Sequence, residues 1–299
     1  NKLEISGLVN YTSSNANRGQ RGSNLSGVML GLMRAPASYD LTGGASNPAE
    51  DETAYILENC GAKLFVASHS LASVAVHMIG SAAALKHFYM IGGIEDGFLS
   101  WEETVDTLPI TAIDDQSMGT TMLYSSGTTG KPKGVMLSQA NLLGNASAIS
   151  REHALTESDR VYAVLPLYHI NAFAVTMLAP LWHGGSAMIP PKFSAKQFWP
   201  QVAQYQCTWI NVVPTIISYL LEHGDPAQTD KSGIRFCRSA SAPLPPEHHR
   251  QFESLFGIGI IETMGLTETV APSFSNPLEQ ARRKIGTVGR AYGCEARVV

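Results

Sequence analysis

Tyr124-Ser125-Ser126-Gly127-Thr128-Thr129-Gly130-Lys131-Pro132-Lys133-Gly134 follows directly on residues 120–124 (TTMLY), a short apolar run that reads as a strand. Three glycines let the backbone come close to a ligand, because they carry no Cβ and tolerate positive φ. The hydroxyls of Ser125, Ser126, Thr128 and Thr129 can donate to phosphate oxygens, and Lys131 and Lys133 can neutralise them. This is not a Walker loop, since Lys131 is followed by Pro132 and not by a Ser or Thr opening a helix. Pro132 keeps Lys131 out of a following helix, which predicts a flap after a strand. A plain solvated connector has similar composition, but two lysines in a hydroxyl-rich turn behind a strand argue for a phosphate site.

Outward from this loop the chain alternates. Glu50, Asp51 and Glu52 place acid in a first helical turn, Ala54, Ile56, Leu57 and Cys60 supply a buried stripe, and Gly61 stops the helix. Residues 63–67 (KLFVA) then read as a strand. Beyond the loop, Ser138 caps a helix. Strands are expected at 161–165, 185–189, 209–213, 234–238 and 259–262, and helices at 173–181, 195–204, 215–222 and 245–256. Short apolar strands separated by helices predict an α/β fold of layered, largely parallel sheets with flanking helices. Residues 1–50, rich in Asn, Ser and Gly, are expected to be irregular, with the main domain running over 51–299.

Composition narrows the function. The 299 residues carry a formal charge of −4, which disfavours nucleic acid as a main partner because phosphate backbones call for a basic face. Apolar residues make up 44% of the chain, enough for a core, and the longest uncharged apolar runs are too short to span a bilayer. The four cysteines, Cys60, Cys207, Cys237 and Cys294, form no CxxC pair, so neither a zinc site nor a disulfide framework is indicated. With no secretion signal, a reducing cytoplasm is the expected location.

The eleven-residue order from Tyr124 to Gly134 resembles the signature loop of the adenylate-forming enzymes, which include acyl-CoA synthetases, luciferases and peptide-synthetase adenylation domains. Ser125 stands where Thr is usual and keeps the hydroxyl. Thr263-Met264-Gly265-Leu266-Thr267-Glu268-Thr269 resembles the family's second signature. There the resemblance implies Thr267 on the α-phosphate, Glu268 on Mg²⁺, and Met264 in the usual aromatic place against adenine beside Gly265. Ala240-Ser241-Ala242-Pro243 is similar to the small-residue turn beside the base, and Lys284 to Arg290 looks like the Gly-rich segment leading out of the large domain. A plain strand-to-helix turn would account for residues 240–243 equally well, and a loop capping a helix start, with Thr267 or Glu268 serving the backbone, is the plainer role for 263–269.

Further implications concern the acid. Pro166 to Phe173 matches a motif whose His, here His169, sits where the carboxylate enters; a lone His among apolar residues is otherwise a core residue. Residues 209–215 (WINVVPT) resemble the strand and turn walling the acyl pocket, which implies Phe173, Trp209, Asn211 and Val212 as substrate contacts. Between Val161 and Leu221 there is no Asp or Glu, whereas an amino-acid pocket needs a carboxylate for the α-ammonium. An apolar or aromatic acid is therefore expected over an amino acid. His248 and His249 are expected on a solvated helix face.

The resemblance thus implies the large N-terminal domain of a two-step ligase using ATP, Mg²⁺ and coenzyme A. The carboxylate attacks the α-phosphorus and releases pyrophosphate, and the CoA thiol then attacks the acyl carbonyl. Ser126, Thr128, Thr129, Lys131 and Lys133, with Gly127 and Gly130 between them, would hold the departing phosphates, and Thr128 and Glu268 would share the metal. Lys133, His169, Thr267 and Glu268 are the candidate catalytic groups. The 299 residues end before the family's ribose-binding Asp, hinge and C-terminal lid, so these residues alone are expected to bind nucleotide weakly and adenylate little. A non-catalytic nucleotide- or acyl-binding remnant, an aryl-adenylating ligase and a luciferase-like oxygenase stay open as alternatives.

Overall fold

The computed structural model describes residues 48–111, 119–125, 131–225 and 228–297. The chain divides between Gln139 and Ala140 into two compact units.

In the first unit the described residues begin with α1 (Pro48–Asn59). Ile56 and Leu57 of this helix pack on β1 (Leu64–Ser68), β2 (His87–Ile91) and the short turns around Met78, forming a core with Phe65, Met90 and Phe98. The two strands run parallel and are joined by β3 (Leu99–Ser100). The short α2 (Trp101–Asp106) follows, capped by the Ser100 hydroxyl, which accepts from the Glu103 amide at 3.2 Å. Where the sequence predicts a lone strand and a flap, β4 (Thr121–Ser125) and β5 (Lys133–Leu137) pair antiparallel, from Thr121 opposite Leu137 to Ser125 opposite Lys133. Pro132 keeps the chain out of a helix, as expected, but the chain after it returns along β4. Gly134 sits opposite Tyr124; a Cβ there would lie 3.1 Å from Tyr124 Cζ and 2.6 Å from Met122 Sδ. The glycine makes room for these two side chains over the hairpin.

The second unit is a seven-stranded sheet in the order β12-β11-β10-β9-β8-β6-β7. Its strands are β6 (Arg160–Ala163), β7 (Ser186–Met188), β8 (Trp209–Val212), β9 (Phe236–Ser239), β10 (Ile260–Met264), β11 (Phe274–Ser275) and β12 (Arg290–Ala291). The five central strands are parallel, and β11 and β12 add an antiparallel edge that the sequence pattern does not reveal. All of β8 and β9 is buried, including the polar Asn211, Arg238 and Ser239 among their apolar residues.

Helix α3 (Gln139–Glu152) lies over one face, where the ring of His153, the residue after it, stacks on Phe236. A helical run over 170–183, labelled α4, follows β6; its middle, Phe173–Leu178, is π-helical where a plain α-helix is expected. The other face carries α5 (Ala195–Gln204), α6 (Pro214–His223) and α7 (Pro246–Phe256). Phe198 meets Tyr162 there, and Trp199 meets Phe252 and Phe256.

One expectation is overturned on α7. His249 is buried, and His248 is half-buried and hydrogen-bonded to Ser218. The spacing of His249, Phe252 and Phe256 places all three on the inward stripe of an amphipathic helix, so position 249 cannot be solvated. All four cysteines are free thiols. Among the described residues no helix is long and apolar enough to cross a membrane.

Candidate active site

The phosphate-loop residues Ser126, Gly127, Thr128, Thr129 and Gly130 lie outside the described residues. Their flanks are well placed. Ser125 closes β4 and Lys133 opens β5 directly opposite, so the two flanks of the candidate loop stand side by side. Both stems reach α1: the Tyr124 hydroxyl donates to Asn59 Oδ1 at 2.6 Å, and Lys131 Nζ lies 5.1 Å from the centre of the Tyr55 ring. A cation over an aromatic face is attracted by its quadrupole, which gives Lys131 a resting place on the protein. Burial pushes the Tyr124 phenol up to about 12, so it stays a donor at neutral pH.

In the second unit, the candidate residues gather at the carboxyl ends of the parallel strands, where open α/β sheets bind ligands. The Ser239 end of β9 leads into Ala240, Ser241, Ala242 and Pro243, of which the last three are exposed. Ser241 holds a positive φ of 75°, an uncommon conformation for a residue with a Cβ. Its hydroxyl accepts from Asn171 Nδ2 at 3.1 Å.

Beyond β10, Gly265 is indispensable for steric reasons. A Cβ there would fall 2.6 Å from Ala271 Cα and 2.7 Å from Pro272 Cα, both backbone atoms. The turn Thr267–Thr269 that follows is closed by Thr269, whose hydroxyl accepts from the Leu266 amide at 3.1 Å. Backbone service, the plainer role weighed for Thr267 and Glu268, is therefore carried by Thr269. Glu268 and Met264 are exposed.

His169 is solvent-accessible beside the Tyr168 ring, yet enough protein surrounds it that desolvation lowers its pKa and favours neutral imidazole. Phe173, Trp209, Asn211 and Val212 are all buried. Trp209 packs on Phe236 near the start of its strand, a core position. Asn211, two residues further along the same face, belongs to a polar cluster. Arg238 Nη1 donates to both Asn211 Oδ1 and Asn171 Oδ1, each at 2.7 Å. Burial lowers the Arg238 pKa to about 10, so the guanidinium remains charged at neutral pH.

Three groups in this region were not singled out from the sequence. Arg238 was read only as a strand residue, although a charge inside the apolar run 234–238 is itself a signal. Asn171 stands in the His169 motif. Glu262, at the end of β10, accepts from the Leu244 amide at 3.4 Å and the Gly286 amide at 3.3 Å, and so steadies two loops beside the strand ends.

A profile of the AMP-binding enzymes matches residues 28–299, nearly the whole chain. The chain belongs to the AMP-binding enzyme family. Its relatives in that family include a sulfoacetate–CoA ligase of Cupriavidus necator, 61% identical over 178 residues, covering 60% of this chain and 35% of the relative. An oxalate–CoA ligase of Arabidopsis thaliana is 38% identical over 185 residues, with 60% and 36% coverage. Among solved structures, the anthranilate CoA ligase AuaEII in complex with anthranoyl-AMP superposes with a TM-score of 0.75 at 26% identity, over 81% of this chain and 48% of that one. The chain spans about a third of the length of the curated relatives it matches. These AMP-binding relatives bear out the α/β fold of parallel sheets and flanking helices expected from the sequence.

Proposed function

We propose that this chain is the nucleotide- and acid-binding part of an ATP-dependent acid–CoA ligase acting on a small, polar carboxylic acid. The observation that carries the reading is its 61% identity to the sulfoacetate–CoA ligase, within a family match that takes in all the candidate motifs. Sulfoacetate and oxalate, named by two relatives, are both small acids with two anionic groups, and the polar cluster at Asn171, Asn211 and Arg238 suits them. The reading departs here from the apolar or aromatic acid expected above: the stretch 161–221 lacks carboxylates, but a buried cation from β9 reaches the same place.

In this reaction a carboxylate oxygen of the acid bonds to the α-phosphorus of ATP as pyrophosphate leaves. The CoA sulfur then bonds to the acyl carbon, AMP leaves, and the thiol proton passes to solvent. Lys131, Lys133 and Ser125 would hold the phosphates at the candidate loop, Thr267 the α-phosphate, and His169 would orient the incoming carboxylate. Ser241, Ala242, Pro243 and Met264 would lie against the base. Such catalysis works by positioning and by stabilising charge as it develops. Among the described residues no cluster of three or more His, Cys, Asp or Glu could cage a metal ion. Glu268, exposed in the turn after β10, would offer a carboxylate oxygen to Mg²⁺, a hard cation that would offset the phosphate charge.

The test is acid-dependent pyrophosphate release by the full-length polypeptide that carries this chain, with ATP, Mg²⁺ and CoA and a panel of small acids. A thioester product with sulfoacetate or oxalate is the expected result. ATP binding without turnover of any acid would overturn the ligase reading in favour of a binding role. An adenylate released or oxidised without thioester formation would favour an aryl-adenylating or luciferase-like enzyme.

A further inference from the structure

Arg238 is fully buried in the middle strand of the large sheet, and no carboxylate among the described residues pairs with it. A buried guanidinium without a counter-charge is a costly arrangement, normally kept only where something compensates it. The compensation seen is partial. Nη1 is fixed by the carbonyl oxygens of Asn171 and Asn211, while Nε and Nη2 have no hydrogen-bond partner.

These two unpartnered nitrogens share one edge of the planar group. Their parallel N–H bonds form the fork that matches two oxygens of a carboxylate or sulfonate. The surroundings are of the same kind. The hydroxyls of Tyr292 and Thr263 are also buried without partners, and the Tyr292 phenol is close enough to feel the Arg238 charge. In the β9–β10 register Arg238 lies opposite Ile261, so Thr263, two residues on, shares its face of the sheet. Through Asn171 the cluster connects to Ser241, in the turn assigned to the nucleotide base.

We propose that the Nε–Nη2 edge of Arg238 receives the second anionic group, a carboxylate or sulfonate, of a small acid whose other carboxylate is activated. Arg238 is then the residue that separates doubly from singly charged acids, with Asn171 and Asn211 as positioning residues that hold its fork. The inference rests on the acid–CoA ligase reading and names the group that sets its specificity.

The test compares sulfoacetate with methylsulfonylacetate, a near-isostere in which a methyl group replaces one oxygen and removes the second charge. With the full-length polypeptide, kcat/KM for CoA thioester formation is expected to favour sulfoacetate by about 100-fold or more, as for a site built around a polar partner. Arg238→Met should remove most of that preference while a fluorescent ATP analogue still binds within about twofold of wild type. Arg238→Lys, which keeps the charge but loses the fork, should fall between them. A wild-type ratio near one, or an equal loss with both acids in Arg238→Met, would overturn the proposal; the second result would place Arg238 on the reacting carboxylate. Where the variants fail to fold, the wild-type ratio decides alone. If the wild type turns over no acid at all, the ligase reading fails separately, and calorimetry decides this one. Sulfoacetate binding at least about 10-fold tighter than methylsulfonylacetate would uphold the anion site, and equal binding would remove it.

Discussion

Glu262 Oε2 lies 3.4 Å from His249 Nδ1, so strand β10 and helix α7 meet through a buried polar contact. His249 also reaches Glu253 Oε1 through Nε2 at 3.2 Å, and Glu262 holds the amides of Leu244 and Gly286. Replacing Glu262 with Ala leaves two backbone donors and an imidazole without their acceptor. The expected loss is about 2–4 kcal/mol of unfolding free energy. Faster amide exchange at Leu244 and Gly286 should accompany it. Unchanged exchange at both amides would mean that the carboxylate does not steady those loops.

Gly265→Ala should act on the nucleotide turn directly. The new Cβ meets backbone atoms of Ala271 and Pro272, so the chain from Met264 to Thr269 has to shift. A destabilisation of about 1–3 kcal/mol and at least a tenfold weaker ATP complex are expected. Denaturant unfolding and titration with a fluorescent ATP analogue check the two effects separately, and wild-type values in both would refute the steric account.

Lys133→Ala removes a charge at the flank of the candidate loop. A charge-assisted contact to phosphate contributes about 1.5–3 kcal/mol, so the KM for ATP should rise roughly 10- to 100-fold. The KM for the acid should move little. An ATP KM within twofold of wild type would exclude Lys133 from phosphate binding.

The second unit should lose stability in acid, for two reasons with the same sign. Burial, with Arg238 and Arg235 nearby, lowers the His153 pKa from 6.5 to about 3. The unfolded chain therefore takes up a proton that the folded one refuses, and stability falls as pH drops from about 6.5 towards 3. At pH 5 the loss is about 2 kcal/mol from this residue. Burial alone would raise the Asp159 pKa, but hydrogen bonds from Arg235, Thr156 and Thr208 hold it below the usual value. Its contribution is full above the ordinary carboxylate range and is lost as pH falls through its own pKa. His153→Phe, which keeps a ring against Phe236, should shift acid unfolding to lower pH; urea melts from pH 7 to 4 would show it, and an unmoved acid limb would contradict the assignment.

Where local chemistry dictates shape, the fold could be read in advance. The acidic first turn and Gly61 delimit α1, and the buried apolar runs mark β6, β8 and β9. Ser100, with Glu103 three residues on, carries a cap signature that marks the start of α2. Strand β5 escaped notice because KGVML, behind Pro132, alternates too weakly to signal a strand. The short β11 and β12 depend on pairing with β10, a tertiary fact that no local pattern encodes. The same limit applies at the site. The family resemblance picked out Asn211 and Ser241, but the meeting of Asn171, Asn211 and Arg238 follows from strand register and from the helix after β6. His249 was misread because two adjacent histidines look polar until the helical period is applied through Phe252 and Phe256.

The π-helical turn at Phe173–Leu178 has a consequence for length changes in the chain. A π turn accommodates one residue more than an α-turn over the same distance, so this stretch holds a spare residue within a continuous helix. Deleting one residue there would let the segment close into regular α-helix. Asn171, upstream, would keep its seat beside Arg238, and the residues from Ala179 onward would keep their facing, because the wide turn and the α-turn that replaces it both complete one revolution. The helix therefore works as a length buffer: its first turn is tied to the polar cluster, and the wide turn takes up one residue without changing the facing of the far end, around Trp182.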